Sequence, residues 1–220
     1  MDFTRDQIEQ AIHRAQHCQR NWDLDQKIPD ADMELLKIAV TQCPSKQNAA
    51  YYKVTFVTNR ELIRQIYDLT DCFTYSYEPK LTTKNPQTLA NLLVAFSEVE
   101  LAESGSDNFP RNDETKEYFE TNMNASQQTV QLIERDRNMA TGVAAGFLNL
   151  TASLLGYATG CCAAFDGDKA AQLLRLDKPP RLLMGIGFRD ENIGRRIHHE
   201  DHNFLFSTRL KQPIELEMIE

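Results

Sequence analysis

Basic side chains gather at two places far apart along the chain: His17-Cys18-Gln19-Arg20 near one end, and Gly194-Arg195-Arg196 near the other. If a fold brought them together, the guanidinium groups would converge on one anion with the forked geometry that suits phosphate. Taken separately, they read as solvated loop arginines. A second cluster, His198-His199-Glu200-Asp201-His202, crowds three imidazoles and two carboxylates into five residues. Metal ligands must converge in space and usually come from separate elements, so this run reads as a surface tail and no metal site is expected. The five cysteines, Cys18, Cys43, Cys72, Cys161 and Cys162, form no Cys-x-x-Cys pair. A thiol nucleophile would need a histidine base beside it, and nothing beyond coexistence supports one, so inert thiols are expected. A fourth stretch, Pro44-Ser45-Lys46-Gln47-Asn48, sets a run of donors without glycine before an apolar strand. It is either a surface turn or a lip whose amides and side chains face something that needs hydrogen bonds. There is no Gly-rich dinucleotide fingerprint and no phosphate-binding P-loop.

The bulk properties narrow the classes. A chain of 220 residues, 41% hydrophobic and 25% charged, suits one soluble domain with a full core. A net charge of -8, from 24 Lys and Arg against 32 Asp and Glu, argues against nucleic acid or an anionic membrane surface as partner. An odd number of cysteines, two of them adjacent, fits a reducing compartment, and the charged, amphipathic start is unlike a secretory signal. A cytoplasmic location is expected.

The elements that must position these groups follow from periodicity. A helix is predicted over about 4–16, with Ile8, Ala11, Ile12 and Ala15 on one face. Pro29-Asp30 opens a second over 31–41, which Pro44 ends. From Tyr51 the aromatic and β-branched alternation predicts a strand, and Asn59 reads as the N-cap of a helix to about 68. Residues 70–90 read as irregular, 91–97 as a strand, and 102–113 as a polar loop. A long polar helix over 114–137 runs into an uncharged stretch, 139–165, of 27 residues. By count it could span a bilayer, but its glycines, its Asn149 and the charged residues leading into it favour a helix buried in a soluble core and ending near Gly156. The Gly142-x-x-x-Gly146 spacing admits a close second helix, which suggests an oligomer. Asp166 and Asp168 open a further helix, and Pro179-Pro180 leads into a strand over 181–188. Few strands and many helices predict an α+β layer, and the terminus beyond Arg189 is expected to pack on another subunit.

Taken together, four blocks resemble the FMN-dependent nitroreductase family: QHCQRNWD (16–23), PSKQNAAYYKVTFV (44–57), KNPQTLANLLVAF (84–96), and LLGYATGCCAAFDGDKAAQLLRLDKPPRLLMGIGF (154–188) with the later GRR. The resemblance implies a single domain over 1–220, with a mixed sheet covered by helices on both faces. It implies an intertwined homodimer with a long buried central helix and a C-terminal arm from about 189 on the partner. Arg20, Arg195 and Arg196 would hold the FMN phosphate, with His17 and Cys18 nearby. Pro44, Ser45, Lys46 and Asn48 would reach the flavin of the other subunit, Asn85 its pyrimidine side, and the N–H groups of Ala163 and Ala164 its N5 and O4. The implied activity is two-electron transfer from NAD(P)H through flavin N5 to a nitroaromatic, quinone or similar acceptor. No catalytic side chain is obligatory, and Lys46 is the candidate electrostatic stabiliser. The family's first phosphate arginine is Gln16 here and its serine is Cys18. One lost ionic hydrogen bond, worth roughly 1.5–3 kcal/mol, implies about tenfold to hundredfold weaker flavin binding if nothing compensates. The alternatives are a non-catalytic flavin-binding or structural dimer of the same fold, or a specialised flavin reaction such as reductive dehalogenation or flavin fragmentation.

Overall fold

The computed structural model describes residues 3–48, 50–99, 127–207 and 211–219. Among these, α1 spans Arg5–Ala15, α2 Asp30–Thr41, β1 Tyr52–Val57, α3 Arg60–Asp68, β2 Phe73–Thr74, β3 Thr82–Thr83 and β4 Leu92–Glu98. The chain continues with α4 at Gln127–Leu154, β5 at Ala158–Cys162, α5 at Gly167–Leu174 and β6 at Pro180–Gly187. Local chemistry sets the ends. Thr4 and Gln7 form a reciprocal capping box on α1, and the Asn59 and Asp166 side chains cap α3 and α5. Gly156, at φ 94°, closes α4: the Tyr157 N–H bonds back to the Ala152 carbonyl at 2.9 Å, a turn that a left-handed glycine makes without strain.

Four strands form one sheet in the order β1-β4-β6-β5. Leu92, Val94 and Phe96 of β4 face a core made with α2, α4, Met184 and Ile186, while Leu93 and Ala95 face a second core made with α3, α5 and Leu183. Side chains alternate across a strand, so the apolar run LLVAF requires helices on both sides, as the sequence predicts. The expectation of a mixed sheet is corrected: among the described residues every strand pair is antiparallel, and the one parallel contact is a bridge from Cys18 to Thr159 on the outer side of β5. Crossovers by way of helices lead here between antiparallel neighbours, a choice that strand periodicity does not encode.

Three further expectations change. Residues 158–162 carried no predicted element because they continue an uncharged stretch, yet they form the edge strand β5. The 70–90 region holds the small β2–β3 hairpin and a 3-10 turn at Pro86–Leu89. Within this chain α4 is buried along one side only, through Ala140, Ala144, Leu148 and Ala152. Met139, Val143, Phe147 and Leu150 are open, and nothing lies within 4 Å of a Cβ built on Gly142 or Gly146. No helix of the described residues is long and apolar enough to cross a membrane. The polar loop at 102–113 and the helix start from 114 to 126 lie outside the described residues.

Candidate functional site

The outer edge of β5 brings the two basic segments together. Gln19 donates its N–H to the Thr159 carbonyl at 2.7 Å, laying 17–20 along the strand. Gly160 makes this approach possible, since a Cβ there would sit 2.5 Å from the Gln19 carbonyl oxygen. Asn21, fully buried, donates through Nδ2 to the carbonyls of Ile193 and Gly194 at 3.3 and 3.1 Å. That amide is the clasp between segments distant in sequence. Around it, burial lowers the Arg195 pKa, and the charges of Arg189 and Arg20 lower it further. His17 is pushed down by burial and by Arg195. Burial raises the Cys18 thiol, while Arg20 and Arg195 pull it the other way. Arg20, Arg189, Arg195, His17 and Cys18 therefore share one electrostatic environment. The Arg20 Nε is buried and has no hydrogen-bond partner. Clustered guanidinium groups with an unsatisfied buried donor suit an oxyanion. Arg196 lies beside them but turns its Nε to the Phe206 carbonyl at 2.8 Å.

Past the end of β5, Ala163 and Ala164 are exposed, and among the described residues nothing accepts from their N–H groups. The Ala164 carbonyl accepts from the Asp71 N–H at 2.9 Å, which fixes this turn beside the end of α3. Asn85 is buried here: its Nδ2 donates to the Asp71 carbonyl at 2.9 Å and its Oδ1 accepts from Gln87 at 3.1 Å. Its amide faces inward, keeping one hydrogen and one lone pair for anything else. Lys84, which sequence reasoning passed over, donates Nζ to the Thr70 carbonyl at 2.8 Å and places a cation in the same wall. Lys84 opens the KNPQTLANLLVAF block, but only its neighbour Asn85 was given a role there. Burial pushes the Cys161 thiol up to about 11, with Cys18 and Cys162 adding to the shift, so it is a poor nucleophile.

The Pro44 to Asn48 lip is held elsewhere. Lys46 Nζ pairs with Asp136 Oδ2 of α4 at 2.5 Å, and Ser45 Oγ accepts from the Ala50 N–H at 2.9 Å. Burial works against ionising Asp136, but the hydrogen bonds from Lys46 and Arg135 hold its carboxyl below the usual range. Tyr51 packs on Ala140, one turn further along α4. Asn48, Ala50 and Tyr51 have φ of 56°, 55° and 61°. Three left-handed non-glycine residues within four positions mark a shape enforced by its surroundings. Pro44 and Asn48 are exposed. None of the lip's hydrogen bonds among the described residues reaches the arginine cluster, and Lys46 is not a free cation within its own chain. Among the described residues no group of three or more His, Cys, Asp or Glu side chains is placed to hold an ion, and His198 of the HHEDH run is fully buried.

A model of the nitroreductase family matches residues 14–188, from the basic N-terminal segment through the last strand. The chain belongs to the nitroreductase family. No curated protein matches it. Among solved structures, this nitroreductase-family chain is similar to a nitroreductase family protein from Streptococcus pneumoniae, with TM-score 0.59, 20% identity and coverage of 95% of this chain and 97% of that one. It also resembles a Staphylococcus epidermidis protein described as an NAD(P)H:FMN oxidoreductase, with TM-score 0.66, 14% identity and coverage of 97% and 94%. A third, from Exiguobacterium sibiricum and described as a nitroreductase in complex with FMN, gives TM-score 0.59, 15% identity and coverage of 87% and 91%. At these identities the likeness establishes the fold.

Proposed function

We propose that this nitroreductase-family chain binds FMN and transfers two electrons from NAD(P)H to a small oxidised acceptor such as a nitroaromatic or a quinone. The observation that carries the reading is the buried, unpartnered Arg20 Nε beside Arg189 and Arg195, at the strand edge that leads to the free N–H groups of Ala163 and Ala164. When bound, FMN supplies the redox chemistry, and no nucleophile is required of the protein. The residues then bind and orient. Arg20 and Arg195 hold the phosphate, with Arg196, His17 and Cys18 at its margin. The Ala163 and Ala164 N–H groups meet the polar edge of the ring system, and the wall of Asp71, Lys84 and Asn85 stands next to them. Lys84 takes the electrostatic role first given to Lys46, because Lys46 is neutralised by Asp136.

The site is completed, in this reading, by a second copy of the chain. The exposed side of α4, with Met139, Val143 and Phe147, offers an apolar face, and Ile8 and Ile12 of the neighbouring α1 are also open. The segment 211–219 alternates Ile214, Leu216 and Met218 with Glu215 and Glu217, a strand-like pattern whose apolar residues are exposed in one chain. It is the arm that packs on the partner, whose Pro44 to Asn48 lip covers the flavin. A cytoplasmic location suits the free thiols. The test is the visible spectrum of the purified dimer reconstituted with FMN. A yellow protein bleached by NADPH without oxygen is expected; failure to retain or bind FMN would remove the reading, and binding without bleaching would favour the non-catalytic alternative.

A further inference from the structure

The histidine-rich run that resembled a metal site has another use. Residues 196–206 double back as a small hairpin: Ile197 bridges Leu205 antiparallel, the Phe206 N–H bonds to the Arg196 carbonyl at 2.8 Å, and the Phe204 N–H bonds to the Asp201 carbonyl at 2.8 Å. His198 plugs it. Its Nδ1 accepts from the Glu200 and Asp201 N–H groups at 3.0 and 2.9 Å, so the ring proton belongs on Nε2, which donates to the Lys84 carbonyl at 3.0 Å. The fully buried imidazole stacks on Phe206, with centroids 5.9 Å apart and planes 15° apart. Phe206 in turn carries the Arg20 guanidinium, whose Cζ stands 4.5 Å from the ring centroid.

We infer that Phe206, steadied by His198, is a positioning residue for the anion site: its ring fixes the plane of the Arg20 guanidinium so that the buried Nε–H points at an incoming phosphate oxygen. This deepens the proposed function and rests on the reading that Arg20 and Arg195 hold the FMN phosphate. A stacked guanidinium keeps its in-plane donors for a forked contact while its face is occupied, and less side-chain freedom is lost when the anion arrives. The backbone carbonyl of Phe206 accepts from Arg196 Nε at 2.8 Å, so the second basic segment is tied to the same residue by a bond that the ring variants leave in place. Preorganisation of Arg20 thereby offsets part of the shortfall at Gln16 and Cys18.

The discriminating experiment compares FMN with riboflavin, which lacks the phosphate, by quenching of flavin fluorescence on the intact protein. Replacing the ring in Phe206→Leu should weaken FMN by about threefold to thirtyfold, the range of a partly desolvated cation–π contact, with riboflavin unchanged. Phe206→Tyr should restore FMN binding, and His198→Asn, which keeps an acceptor for the turn but loses the stack, should fall between. If Phe206→Leu does not fold, Phe206→Met takes its place. Parallel weakening of both flavins, or unchanged FMN binding in the ring variants when Arg20→Gln does weaken it, would overturn the platform while the phosphate reading stood. If the parent protein does not prefer FMN to riboflavin, or Arg20→Gln and Arg195→Gln leave that preference intact, the phosphate reading fails and the platform falls with it.

Discussion

Replacing Ala50 with glycine should stabilise this protein, against the usual sign of that substitution. Ala50 has φ of 55° and its N–H bonds to Ser45 Oγ at 2.9 Å. Holding an L-residue in the left-handed region costs roughly 1–2 kcal/mol, while glycine costs about 0.5–1 kcal/mol more than alanine in lost unfolded-chain freedom. The midpoints of these ranges leave a net gain of about 0.75 kcal/mol, since glycine keeps the N–H and its hydrogen bond. For 220 residues, an unfolding entropy of about 2.1 cal/mol/K per residue turns that gain into a rise of about 1–2 °C in Tm. Reversible thermal or urea unfolding of Ala50→Gly beside Ala39→Gly reads both signs. Ala39 lies inside α2, where the same change should cost about 1 kcal/mol. Destabilisation at both positions would refute the reasoning, because it would mean that the lip is not strained at Ala50. A gain in stability with weaker flavin binding would show that the strain holds the lip in place for function.

Acid unfolding should depend on the Lys46 pair: the Asp136 pKa is lowered on folding, so its contribution is present above the ordinary value of 3.8 and is lost as pH falls through the lower folded value. Asp136→Asn should flatten stability against pH in that window, and an unchanged slope would remove the pair from the account. Gly185→Ala should destabilise by about 3 kcal/mol or more, because its Cβ would lie 2.0 Å from the Gln87 carbonyl oxygen; denaturant midpoints measure this. Phe147→Glu places a charge on the open side of α4 and should turn the proposed dimer into monomers in sedimentation, with FMN lost in parallel. A dimer that survives it would move the interface elsewhere.

Much of this was legible in the chain. The apolar periodicity of α1 and α2 and the Asn59 cap of α3 are local, so the limits of these helices fell within a residue or two of those predicted. The doubly covered strand β4 was legible because LLVAF has no polar side to turn outward. β5 was not: Ala158, Thr159, Gly160 and two cysteines carry little propensity, and an edge strand is defined by the neighbours it pairs with. Lys84 lacked a signal for the same reason, since its place beside Asp71 and Ala164 comes from α3 and β5 meeting.

The sequence by itself determined the inventory: the helices and three of the four strands of the larger sheet, the charge balance, the two basic segments, and the family blocks around them. Only the tertiary structure decided that Asn21 joins those segments, that the buried His198 closes a turn, and that Lys46 is spent on Asp136. The first set depends on contacts within a few residues, which composition and spacing encode. The second depends on which polar atoms are desolvated together, and that is set when distant strands and helices pack and buried donors must find acceptors.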